Sequence, residues 1–234
     1  MLFRSVLVAG QVSAGKSSLV NALGEEVRAA VDALPATARF TPYRLMREGL
    51  PAALIIDSPG LVAGEDHVSA LIVQAERADL VVWVSPANRA DREIDRAALI
   101  ALRAHFAARP NRIPPPMLLA LTHVDLLRPF QEWQPPYDLN DPASAKASSI
   151  RAAVEAAAAD LGFETDDVVP CALGAGRARY NVDAIWAGIA AALPEAQRTK
   201  LVRTLRDAEG AWDWRRVMSQ AHGAGRVLVK TIGR

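Results

Sequence analysis

Cysteine is nearly missing from this chain: Cys171 is the one cysteine in 234 residues. That excludes an intramolecular disulfide framework and a multi-cysteine zinc site, and it points to a reducing compartment. Charge imbalance is missing too. Lys and Arg number 27 against 26 for Asp and Glu, a formal net charge of +1, which does not indicate a general nucleic-acid binder. No long apolar run exists. The longest stretches are broken within about ten residues by charge, Gly or Pro, well short of the roughly 20 a spanning helix needs. The start, Met1-Leu2-Phe3-Arg4, lacks the order of a secretory signal. The expectation is therefore a soluble, cytoplasmic chain. It begins abruptly at what reads as a first core strand, so a longer parent protein stays open. No repeat of solenoid period and no low-complexity tract is present.

What is present is alternation. Val6–Ala9, Ala53–Ile56, Leu80–Val84, Met117–Leu121 and Val168–Val169 are apolar runs of strand length, as expected when helices cover both faces of a sheet. Val68, Leu71, Ile72 and Ala75 fall at helical spacing, as do Ile94, Ala97, Ala98, Ala101, Leu102 and Phe106. The reading is an α/β fold: a doubly wound, mostly parallel sheet with its ligand beyond the carboxyl ends of the strands. Arg39 to Met46, which holds Pro42, suits an edge strand. The proline-rich stretch Arg128 to Pro142 reads as a long, ordered or partly ordered loop, and Trp133-Gln134-Pro135-Pro136-Tyr137 within it as a staple or a docking loop. Residues 1–194 form the expected domain. Residues 195–234 form a basic helical extension, with nine Lys/Arg and four Asp/Glu against 18 and 22 before it.

The first strand runs into Gly10-Gln11-Val12-Ser13-Ala14-Gly15-Lys16-Ser17, with Ser18 next, satisfying G-x-x-x-x-G-K-[ST] in a strand–loop–helix context. The glycines let main-chain N–H groups and the helix N-terminus close on an anion. Lys16 can reach the β- and γ-phosphates, and Ser17 can coordinate Mg²⁺. Asp57-Ser58-Pro59-Gly60 ends the second apolar run. Asp57 is placed to hold the metal through a water and the Gly60 N–H to sense a γ-phosphate. A hydroxyl covering the metal is expected between these motifs. Thr37, in the loop before the edge strand, is the expected switch residue, and Thr41 inside the strand is the alternative.

Leu121-Thr122-His123-Val124-Asp125 ends another buried run in an acid. On these motifs the chain resembles a translation-factor-related small GTPase, closest to the bacterial Era-like members, over residues 4 to 193. The resemblance implies that Thr122 to Asp125 reads guanine, with the Asp125 carboxylate accepting from two base N–H groups that adenine does not present together. His123 stands where that family has lysine. The S-A-K element would be Cys171-Ala172-Leu173, with the Ala172 N–H on the guanine carbonyl. Leu61 occupies the place of a water-orienting glutamine, which implies slow intrinsic hydrolysis. Ser13 replaces the asparagine of potassium-activated relatives, which implies no potassium requirement.

GTP or GDP and Mg²⁺ are thus the expected ligands, with Lys16, Thr37 and Gly60 in catalytic roles. The leading reading is a GTP-binding switch. The alternative is a nucleotide-dependent scaffold at a membrane or assembly with little turnover. An ATPase or nucleotide kinase conflicts with Thr122 to Asp125. In 195–234, Leu201, Leu205, Ala208 and Trp212 recur at helical spacing among arginines. This pattern suits a helix packed on the domain or one that meets a membrane surface or a protein effector. RNA ranks lower as a partner, and DNA is not expected.

Overall fold

The computed structural model describes residues 4–24, 39–45, 53–63, 67–109, 111–112, 114–174 and 176–191. Six strands, β1 (Arg4–Ala9), β2 (Thr41–Leu45), β3 (Ala53–Asp57), β4 (Leu80–Pro86), β5 (Met117–Thr122) and β6 (Val168–Pro170), form one sheet in the order β2-β3-β1-β4-β5-β6. Every pairing is parallel except β2 with β3, so the strand with Pro42 is the antiparallel edge. The expected fold class stands. An edge position suits Pro42 because proline has no N–H to give to a neighbouring strand.

Among the described residues five helices cover the sheet: α1 (Lys16–Leu23), α2 (Val68–Ala75), α3 (Glu93–Ala107), α4 (Ala145–Leu161) and α5 (Val182–Ala191). Strand residues alternate between two cores, following the period of two. Leu7, Val81, Trp83, Leu119 and Leu121 pack under α2, α3 and α4. Val6, Val8, Val82, Val84, Leu118 and Ala120 pack under α1 and α5. Trp186 Nε1 donates to the Leu23 carbonyl at 3.2 Å, locking α5 to the end of α1.

The expected stripe of α3 is buried at Ala98, Leu102 and Phe106, and it takes in Asp95 and Leu99 as well. Asp95, Ala98, Leu99, Leu102 and Phe106 are buried, whereas Ala97 is exposed. A count of apolar positions cannot anticipate this, because a carboxylate takes one of the buried places. Helix α4, alanine-rich and weakly amphipathic, is fixed by its ends. The Ser144 hydroxyl accepts from the Ala147 N–H, Gly162 closes the helix at φ 67°, and Arg103 donates to the Leu161 and Gly162 carbonyls at 2.8 and 2.7 Å. The loop 128–142 is ordered. Trp133, Tyr137 and Tyr180 form a ring cluster, and Trp133 Nε1 donates to the Ala178 carbonyl. The extension 195–234 lies outside the described residues.

Candidate functional site

The phosphate loop joins β1 to α1 at the carboxyl rim of the sheet. Gly10 has φ 142°, and a Cβ there would lie 2.1 Å from the Val84 carbonyl oxygen, so only glycine lets the loop pass β4. Gly15 caps α1 at φ 95° in the left-handed region. Three of the loop N–H groups turn inward. That of Gln11 goes to the Asp95 carboxylate, that of Val12 to the Leu61 carbonyl at 3.2 Å and that of Ala14 to the Gln11 carbonyl at 3.3 Å. The main-chain donors of Gln11, Val12 and Ala14 are thus engaged within the protein. Lys16 is buried, and its Nζ donates to the carbonyls of Gly10 and Gln11 at 3.2 and 2.8 Å. Burial lowers its pKa to about 8, opposed by the charges of Asp57 and Asp95.

Asp57 ends β3 with no exposure, and the Ser17 hydroxyl donates to its Oδ2 at 2.8 Å. Two hard oxygen donors, one carrying charge, therefore converge beside the first turn of α1. That donor set fits Mg²⁺, which takes one or two protein oxygens together with substrate phosphates and water. Among the described residues no group of three or more His, Cys, Asp or Glu could hold a metal alone. Ser17 and Asp57 would hold the ion against the phosphates. Thr37 lies outside the described residues. The Thr41 hydroxyl donates to the Arg39 carbonyl within the edge strand.

Gly60 packs on the phosphate loop so closely that a Cβ would meet Val12 Cγ2 at 2.4 Å. The next residue, Leu61, is buried, and its N–H donates to the Gly10 carbonyl at 3.1 Å. Its side chain thus sits in the core and offers nothing to a water molecule.

At the end of β5, Thr122 is fully buried and donates its hydroxyl proton to the Ala14 carbonyl at 2.7 Å. His123 takes the left-handed backbone at φ 59°, with Nδ1 2.8 Å from the same hydroxyl oxygen. Because that proton already goes to Ala14, Nδ1 must carry the hydrogen and donate, which leaves Nε2 as the acceptor of the neutral ring. Burial pushes the imidazole below the ordinary histidine value, opposed by Asp125 and reinforced by Arg89. A Cβ on Gly15 would lie 3.4 Å from both His123 Cε1 and Leu173 Cδ1, so these side chains border the phosphate loop on its base-facing side. Asp125 is half-buried in the single turn Val124–Leu126.

The fifth motif is arranged differently from expectation. Ala172 is buried, and its N–H donates to the Tyr180 carbonyl at 3.0 Å, with the reverse bond closing a two-way bridge. The expected contact of that N–H with guanine is therefore taken. Cys171 is buried with its thiol pushed up to about 12 by burial, so it is no nucleophile. Leu173, half-buried against Gly15, is the part of this motif that faces the site.

Asp95 is a polar residue that sequence reasoning missed. It is fully buried, and it accepts from Trp83 Nε1 at 3.0 Å, from the Ser85 hydroxyl at 3.4 Å and from the Gln11 N–H. Burial raises its pKa to about 6. It ties β4 and α3 to the floor of the phosphate loop. The one signal was an acid standing inside an otherwise apolar helical stripe. Arg89, whose Nη1 donates to the Val12 carbonyl at 3.4 Å, was also missed.

Residues 5–121 match the family model described as 50S ribosome-binding GTPase. Among curated proteins the chain is 30% identical over 151 residues to the tRNA modification GTPase MnmE of Synechocystis sp., covering 62% of this chain and 31% of that protein. It is 38% identical over 85 residues to the GTPase Era of Acidimicrobium ferrooxidans, covering 33% and 30%. The chain thus spans about a third of the length of these two relatives. Among solved structures, an Era in complex with MgGDPNP and 16S ribosomal RNA superposes with a TM-score of 0.58 at 17% identity, covering 83% of this chain and 58% of that one. An Aquifex aeolicus Era variant bound to GDP and AlF4⁻ gives 0.56 at 17%, with the same coverage. The fold is shared at that level. With half of its length matched by the family model and its phosphate-loop and base-side motifs in order on one rim, the chain belongs to the P-loop GTPases of the Era-like type.

Proposed function

We propose that this chain is a Mg²⁺-dependent GTP-binding switch that hydrolyses the β,γ bond slowly when no partner is present. The observation that carries the reading is one hydrogen bond. Thr122 at the end of β5 donates to Ala14 in the phosphate loop, and this direct link supports reading the two segments as the base and phosphate ends of one nucleotide site. Asp125 would accept from the two guanine N–H donors, and a missing partner there is strongly penalised.

Lys16 would leave the Gly10 and Gln11 carbonyls for the phosphates, and main-chain N–H groups of the loop and of the first turn of α1 would complete the cradle. Mg²⁺, when bound, neutralises charge that develops on the transferring phosphoryl group. Ser17 and Asp57 would hold it. Thr37 and Gly60 are proposed to report the γ-phosphate. Positioning and charge supply nearly all the catalysis in this reaction, so a buried Leu61 slows hydrolysis without abolishing it.

Calorimetry with Mg²⁺ and GTP, GDP or ATP tests the reading. Guanine nucleotides are expected to bind and ATP to bind weakly or not at all. Equal heats for GTP and ATP would refute it. The burial of Leu61 favours one second reading, a nucleotide-dependent scaffold in which binding matters and turnover does not. Tight binding with no product over hours would select it. Sodium and potassium should support equal single-turnover rates, given Ser13. Cytoplasmic residence, and an effector or membrane surface contacted through 195–234, belong to the same proposal. No helix among the described residues is long and apolar enough to cross a membrane.

A further inference from the structure

Lys146 is the second residue of α4, where the helix dipole disfavours a cation, and it has no exposure at all. A buried ammonium in that place is costly unless its protons are matched. They are matched by three carbonyl oxygens, all from the loop that follows the base-reading strand: Asp125 at 2.9 Å, Leu127, and Pro129 at 3.3 Å. The Trp133 ring lies 5.4 Å from the same nitrogen. A second cation reaches this loop from another part of the fold. Arg177, exposed and beyond β6, donates to the carbonyls of Asp125 and Phe130, both at 3.0 Å. The Asp125 carbonyl is thus gripped from α4 and from the segment after β6. Next to Arg177, the Ala178 carbonyl accepts from Trp133 Nε1, and Tyr180 bonds back to Ala172. Taken together, the proline-rich loop 128–142, α4 and the post-β6 segment form a brace around one residue.

We infer that Lys146, assisted by Arg177, is a positioning residue for base selection: it fixes the main chain from which the Asp125 carboxylate reads the guanine edge. The inference rests on the guanine-switch reading above. A carboxylate that must accept two parallel N–H bonds tolerates little displacement, and with its main chain released Asp125 samples positions that serve guanine poorly. The phosphate half of the site shares none of these contacts, so the effect is confined to the base.

The test measures affinities of the full chain, with Mg²⁺, for GTP, for ATP and for inorganic triphosphate. The variants are Lys146→Met, Arg177→Gln, Asp125→Asn and the Lys146→Met/Asp125→Asn double. Lys146→Met is expected to weaken GTP on the order of ten- to a hundred-fold while leaving inorganic triphosphate unchanged. Arg177→Gln should weaken GTP less, in the same sense. Adding Lys146→Met to Asp125→Asn should cost GTP nothing further, since the carboxylate being positioned is already gone. Unchanged GTP affinity, equal losses for GTP and triphosphate, or additive losses in the double variant would overturn the inference while leaving the switch reading intact. If Lys146→Met fails to fold, the exposed Arg177→Gln decides by the same criteria. A wild type that does not prefer GTP over ATP would instead remove the switch reading itself.

Discussion

The Thr122 hydroxyl and the Ala14 carbonyl, 2.7 Å apart and both buried, join the end of β5 to the phosphate loop directly. Thr122→Val keeps the shape but strands the Ala14 oxygen and removes the acceptor of His123 Nδ1–H. The expected cost is about 1–3 kcal/mol of stability by urea unfolding, together with weaker GTP binding. A variant as stable as wild type would show that the bond contributes nothing.

Through that same hydroxyl, His123 is held in the tautomer whose Nε2 is the acceptor. A bound triphosphate places negative charge beside the ring and raises its pKa, so affinity should grow as pH falls through the bound-state value and level off below the free-state one. Asp95, at about 6, and the terminal phosphate titrate in the same window. The measured quantity is therefore the difference between wild type and His123→Gln in GTP affinity against pH. Parallel curves would refute the expectation.

Lys16 pits stability against function. Its folded pKa, about 8, lies below its ordinary value, so below about pH 8 the buried charge costs stability, and the cost fades as pH rises toward about 10.5. Lys16→Met should be more stable than wild type at neutral pH by up to about 3 kcal/mol. The gap should narrow in alkali, and GTP binding should be lost. Denaturant titrations at several pH values measure this, and a variant less stable at pH 7 would contradict it.

The Ser17–Asp57 pair predicts the effect of metal removal. Chelating divalent ions should weaken GTP more than GDP, because Ser17 and Asp57 would hold an ion whose charge offsets that of the additional phosphate. In Asp57→Ala the dependence on magnesium should flatten. Titrations with and without chelator read both, and an unaltered GTP affinity would sink the metal assignment.

Gly10→Ala should be among the most damaging single changes. A Cβ 2.1 Å from the Val84 oxygen forces β1 and β4 apart at the site itself. A loss of about 3 kcal/mol or more is expected, read as a shifted unfolding midpoint or as failure to fold.

The strands were legible because both faces of the sheet are covered, which makes buried runs such as Leu80–Val84 continuous. The phosphate loop was legible because close passage of main chain past Val84 demands glycine at position 10. What stayed hidden was polar burial. Asp95 and Lys146 look like ordinary solvated charges in a linear reading, and only the assembled fold shows that each is enclosed and matched by donors or carbonyls distant in sequence. The bridge made by the Ala172 N–H stayed hidden for a related reason. Its partner, Tyr180, lies on the return segment after β6, and no local pattern announces that bridge.

Leu61 hangs from the phosphate loop by a two-rung ladder, with its side chain sunk among core residues. Mechanically this is a weld rather than a hinge. Any message about which nucleotide is held must either break those rungs and drag a leucine out of oil, or travel through the chain on either side while this point stays still. Cleaving or loading the nucleotide would therefore be felt first as a change in tension along the main chain at Gly60, and only afterwards as a change in shape.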